Sequence, residues 1–186
     1  MVKIVLLAAV VVLGVGWLGL RHERAAEEQT LLRLVASSLA GRSVHVRCQS
    51  SLGTALDGSG EAGSVLFDTD GRPADSTDLK HDVCQALERF RSDVRSPAFA
   101  CALQDVRCSD AIFADVQAVH TLAHESAHLA GQQNESLAEC RALQTTAYAA
   151  RRLGAGDAEA SAVASYAYRH LYPNLPPDYQ AAGCSP

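Results

Sequence analysis

The chain has 186 residues, about one domain's length, with a formal net charge of −5 and 48% hydrophobic residues. That is enough for one hydrophobic core, and a mildly acidic chain without a long basic run excludes nucleic-acid binding through a basic patch. Methionine and tryptophan occur once each, at positions 1 and 17, which excludes a metal site floored by an internal methionine.

Ile4 to Leu20 is almost continuously apolar, with Lys3 before it and Arg21, His22 and Arg24 after it. This run is within the range that spans a bilayer, and its basic flanks suit the interfaces. The expectation is an N-terminal apolar anchor over 1–23, with the rest of the chain outside the cytoplasm. The alternative is a signal peptide cut after Gly14-Val15-Gly16, which yields a secreted protein. An even set of six cysteines, with no Cys-x-x-Cys pair, points to disulfides in an oxidising compartment.

Arg24 to Ala40 carries a helical stripe of Leu31, Leu32, Leu34 and Val35 and stops at Gly41. Residues 24–42 are expected to form a helical stalk or a first helix, and 43–186 a single folded domain. From Ser43 to Cys48, Val44, Val46 and Cys48 alternate with polar residues, which predicts a strand. Ser50 to Gly63 reads as a Gly/Ser-rich loop. A second strand spans Ser64 to Phe67 and ends at the Asp68-Thr69-Asp70-Gly71 turn. The two strands are expected to pair as a small two-stranded element.

A helix is predicted from Ser76 or Thr77, with Leu79, Val83, Leu87 and Phe90 on its stripe. Cys101 to Cys108 forms a tight loop. Ser109 caps the next helix, which runs to Ala130 and stops at Gly131. Asn134 caps another, to about Leu153, and Asp157 to Tyr172 is a further helix. The tail from Pro173 is irregular. The fold class is therefore α+β, mostly helical. The expected disulfides are Cys101–Cys108, close in sequence; Cys48–Cys84, joining a strand end to the helix that covers it; and Cys140–Cys184, tethering the tail.

The chemistry centres on His124-Glu125-Ser126-Ala127-His128. On a helix, positions i and i+4 share a face, so both imidazoles can bind one Zn²⁺. Glu125 lies beside them and can take a proton from an activated water. Catalytic zinc needs a third protein ligand. Gly131 lets the chain reverse, which brings Glu135 and Glu139, also at i and i+4, towards the metal. One of them can bind zinc while the other orients an imidazole. Glu135, in the first helical turn nearest the reversal, is the expected ligand. His120 extends the histidine stripe as an outer partner, an alternative ligand or a simple buried histidine. Any of Tyr166, Tyr168, Tyr172 and Tyr179 could donate to an oxyanion, and nothing in their spacing selects one.

His124-Glu125-x-x-His128 followed by Glu135-x-x-Ala138-Glu139 resembles the gluzincin metallopeptidases, most closely the HtpX and prenyl-protein-protease branch. That resemblance implies a minimal zincin-like domain with zinc on His124, His128 and Glu135. It also implies Glu125 as general base and Glu139 as outer orienter. Glu139 stands where that branch has Asp, and the gap after His128 is shorter than in most members. His128-x-x-Gly131 resembles metzincins, but their third ligand would fall on Asn134, a poor zinc donor. The run is also similar to small exported actinobacterial proteins of uncharacterised function. The expectation is a zinc metallopeptidase acting on a peptide or protein, which an edge strand such as Val44 to Cys48 could hold. Its alternatives are a zinc amidase acting on cell-wall peptide and a non-catalytic zinc-containing module.

Overall fold

The computed structural model describes residues 26–58 and 60–185. The expected anchor at 1–23 lies outside them. Among the described residues no helix is long and apolar enough to cross a membrane.

Helix α1, residues 26–40, is not a stalk. Leu32, Val35 and Ala36 on its inner face are fully buried in the core. Its outer residues also reach neighbours: Glu28 pairs with Arg91, and Ser38 bonds the Tyr148 hydroxyl at 2.6 Å. Gly41, with φ of 69°, ends the helix in the left-handed region that glycine occupies without strain.

The sheet has three strands rather than two: β1 (His45–Cys48), β2 (Gly63–Phe67) and β3 (Pro73–Leu79). The order is β1-β3-β2, with β3 parallel to β1 and antiparallel to β2. The two strands read from sequence therefore do not pair with each other. Their common partner is a segment whose Ser76 and Thr77 resemble helix caps. Its true period is two, because Thr77 and Leu79 are buried while Ser76 and Asp78 are half-exposed. A polar Thr77 is tolerated inside because its hydroxyl donates to the Ser64 carbonyl at 2.9 Å. The helix begins later, as α3 (His81–Asp93), with Val83, Leu87 and Phe90 inward and Asp82 favourably in its first turn. Between β1 and β2 the expected loop contains a short helix, α2 (Ser51–Leu56), capped by the Ser50 side chain.

The short α4 (Ala100–Leu103) lies in the Cys101–Cys108 loop. α5 (Asp110–Leu129) is the central element, packed by α3, α6 and the β2–β3 pair. Its C-terminal half is buried on all faces, as an interior helix requires. Arg42 pins its far end: Nε donates to the Leu129 carbonyl at 2.9 Å, and Nη2 donates to the Ala74 carbonyl of β3 at 2.6 Å. α6 (Glu135–Arg152) returns antiparallel to α5, and α7 (Asp157–Tyr166) packs on α6. The last expected helix continues past α7 only as a wider π turn, Ala167–Leu171, and Pro173 lies in a closing 3₁₀ turn. The structure joins Cys48 to Cys84, Cys101 to Cys108 and Cys140 to Cys184, the three expected pairs. The last pins the C-terminal strap, residues 173–185, against α6.

Candidate metal centre

Two well-ended helices build the site. The Ser109 hydroxyl accepts from Ile112 N–H at the start of α5, and Asn134 Oδ1 accepts from Leu137 N–H (3.0 Å) at the start of α6. Gly131, at φ of 101°, makes the reversal between them, and Gln132 N–H closes it on the Ala127 carbonyl at 3.1 Å. This short hairpin lays the first turns of α6 beside the last turns of α5.

The reversal brings His124, His128 and Glu135 together. His124 Nε2 is 2.9 Å from His128 Nε2, and Glu135 Oε2 is 3.1 Å from the first and 3.2 Å from the second. Each histidine's other nitrogen is engaged. His124 Nδ1–H donates to Glu139 Oε2 at 2.9 Å, and His128 Nδ1–H donates to the Gln132 carbonyl at 2.5 Å. Those partners accept only, so in the neutral rings both Nε2 atoms offer lone pairs to the same point as the Glu135 carboxylate. Three such groups can share one cation, a proton or a metal ion. Tetrahedral zinc with bonds of roughly 2.0–2.1 Å separates its ligand atoms by about 3.3 Å, close to this triangle.

The electrostatics agree with a shared cation. Burial opposes charge on His124, but hydrogen bonds to Glu135 and Glu139 and the nearby Glu125 carboxylate outweigh it and push its pKa up to about 9. The carboxylates around His124 thus favour positive charge at this point. The His124 hydrogen bond, helped by His128, holds Glu135 below the usual carboxylate range despite partial burial.

Glu139 is almost fully buried and lies behind the triangle. Its other oxygen, Oε1, is 2.6 Å from His120 Nε2. The Thr146 hydroxyl donates to the Ala142 carbonyl at 2.8 Å and so accepts from His120 Nδ1–H at 2.9 Å. Although burial resists ionisation of Glu139, the hydrogen bonds from His120 and His124 pull it down to about 2. His120 therefore supports the outer carboxylate rather than facing the triangle.

Glu125 projects from α5 towards the sheet, where two cavities, of about 400 and 180 Å³, meet at the triangle. Burial, opposed by His124 and reinforced by Glu135, pushes its pKa up to about 7. Thr77 Oγ1 lies 3.4 Å from its Oε2. Gly63 of β2 lies so close that a Cβ there would sit 2.8 Å from Glu125 Cγ. Neither Gly63 nor Thr77 carries a sequence signal for this role, because both reach Glu125 only through the sheet. Among the four candidate tyrosines, Tyr179 lines the cavities, its ring stacked on His124 at 5.7 Å. Burial first, then Glu135 and Glu61, pushes its phenol up to about 12. Tyr166 instead accepts from Cys108 N–H, and Tyr172 bonds Ala181 of the strap.

The edge beside the cleft belongs to β2, not to Val44–Cys48, whose strand β1 is the opposite edge of the sheet. Lys80 N–H donates to the Ala62 carbonyl at 3.0 Å, so Ala62 and Lys80 form a bonded pair. Antiparallel alternation then aims the backbone groups of Gly63 and Val65 away from β3.

No protein-family model, no curated protein and no solved structure matches this chain.

Proposed function

We propose that this chain is a zinc hydrolase of the metallopeptidase type. His124, His128 and Glu135 would hold the ion, and Glu125 is the general base. The observation that carries this reading is the convergence of two imidazole Nε2 atoms and one carboxylate oxygen within 3.2 Å, beside the buried Glu125 carboxylate. Bound zinc supplies Lewis acidity, which polarises a carbonyl and lowers the pKa of water to about 7. Glu125 accepts the proton of the attacking water and passes it to the departing amine. Glu139 orients His124 through Nδ1, and the Gln132 carbonyl orients His128.

The substrate is a peptide in extended form. The outward backbone groups of Gly63 and Val65 support edge pairing with it, directly beside Glu125. Three disulfides support an oxidising compartment outside the cytoplasm, reached through the 1–23 segment.

The test uses the oxidised chain, purified without chelator. Elemental analysis is expected to give one zinc per chain. A quenched-fluorescent peptide library is expected to be cleaved by the wild type but not by Glu125→Gln, with zinc retained in both. Zinc binding without Glu125-dependent cleavage would instead identify a non-catalytic zinc module, and cleavage confined to cell-wall peptides a zinc amidase.

A further inference from the structure

The two cavities at the triangle share five lining residues: Glu61, Gly63, His124, Glu125 and Tyr179. A group undergoing reaction beside Glu125 touches this shared wall. Two members are carboxylates, one is the ligand imidazole and one has no side chain. Tyr179 is the only one that carries an O–H donor. Gln117 and Thr121 line the larger cavity alone, and Ser64 and Gln133 the smaller.

Tyr179 is also held in place. It ends a 3₁₀ turn, Pro177–Tyr179, that follows Pro176, so two adjacent prolines limit the backbone. Beyond it, Ala181 N–H donates to the Tyr172 hydroxyl at 2.8 Å, and that hydroxyl donates to the Ala181 carbonyl at 3.1 Å. Gln180 Nε2 donates to the Leu175 carbonyl at 2.7 Å. Cys184 is bonded to Cys140, the residue after Glu139. The ring stacks on His124 with an interplanar angle of 22°. With the strap anchored on α6, the phenol is held at the metal ligand itself.

We infer that Tyr179 is a catalytic residue, the hydrogen-bond donor to the carbonyl oxygen that becomes negative during attack. This rests on the hydrolase reading above. As water adds to the carbonyl carbon, its proton goes to Glu125 and the C=O electron pair moves onto oxygen, where the Tyr179 O–H donates. Collapse restores C=O, breaks the C–N bond and returns the proton to the amine. A prepositioned donor of this kind acts on charge present only in the transition state, so it raises kcat rather than affinity.

The test compares wild type, Tyr179→Phe, Cys140→Ser/Cys184→Ser and the triple variant in the peptide-library assay. Zinc content and the affinity of a phosphinic peptide, whose tetrahedral phosphorus copies the attacked carbonyl, are measured in each. Tyr179→Phe is expected to lower kcat by about 10²–10³-fold, to leave KM within about two-fold and zinc at one per chain, and to weaken the phosphinic peptide in step with kcat/KM. Release of the strap is expected to reproduce much of that loss, and Tyr179→Phe to add little in that background. A Tyr179→Phe chain with wild-type kcat and phosphinic-peptide affinity overturns the assignment alone, as does one that loses zinc. A zinc-loaded wild type without Glu125-dependent cleavage overturns the hydrolase reading and this assignment together.

Discussion

At Glu135 and Glu139, one helical turn separates two carboxylates with opposite surroundings. Glu135 keeps 36% of its side chain exposed and faces the triangle, whereas Glu139 keeps 2% and spends both oxygens on His120 and His124. Glu135→Ala is therefore expected to abolish most zinc affinity, and Glu139→Ala to weaken it by roughly 10 to 100-fold. Glu139→Ala also strands buried donors on two histidines, so it should destabilise the fold more, by about 1–3 kcal/mol. Zinc titration and urea unfolding of both variants check this; if Glu139→Ala empties the site, the two roles are exchanged. Asp115, buried on α5, shows the reverse economy. Arg89 Nη2 is 2.9 Å away, yet neither oxygen meets an aligned donor among the described residues. Burial, opposed by Arg89, pushes its pKa up to about 6. The folded state then binds more protons than the unfolded chain between about pH 4 and 6, so this group's contribution falls as pH rises through that window. Asp115→Asn is expected to remove that decline, worth at most about 3 kcal/mol, and to equal or exceed wild-type stability at pH 7.5. Unfolding curves at pH 4.5 and 7.5 give the answer; a strongly destabilised variant at pH 7.5 would show that the Arg89 pair outweighs desolvation.

The β2 strand brings its backbone against the base of α5, and Gly63 is the point of contact. A methyl group there would meet Glu125 Cγ, Cδ and Oε1 at 2.8–2.9 Å. Gly63→Ala is expected to displace the carboxylate and lower turnover by about 10²-fold, the scale of an ångström-sized misplacement, while zinc content stays unchanged. Turnover near the wild-type rate would mean that Glu125 swings clear at little cost. Gly63 and its neighbours are where reading from sequence is weakest. The α5–α6 hairpin is legible because its signals are local: Ser109, Gly131 and Asn134 mark its ends, and the buried stripe has helical period. β3 is not legible, because Pro73–Leu79 is polar and its inward Thr77 is explained only by the Ser64 carbonyl on another strand. α1 is legible only in part: its stripe is visible, but whether that stripe meets a core depends on contacts far along the chain.

Across the molecule, the cysteine pairs are legible for a related reason. Each joins elements whose proximity follows from short connections or from a tail in need of a tether. The position of Tyr179 is not, because it depends on how the pinned strap folds back rather than on any pattern in its own sequence. This contrast extends to the order in which the site can assemble. His120, His124, His128, Glu135, Glu139 and Thr146 all lie on one helical hairpin, and they need only local contacts to meet. Gly63, Thr77 and Tyr179 lie 62, 48 and 54 positions from Glu125 in sequence. Local contacts close faster than distant ones, because less chain entropy is lost in forming them. The folding chain can therefore gather the candidate ligands on the hairpin before the sheet edge and the strap arrive. On the proposed reading, gathering the ligands and completing the cleft around them are then separate events, with the long-range contacts as a delay between them.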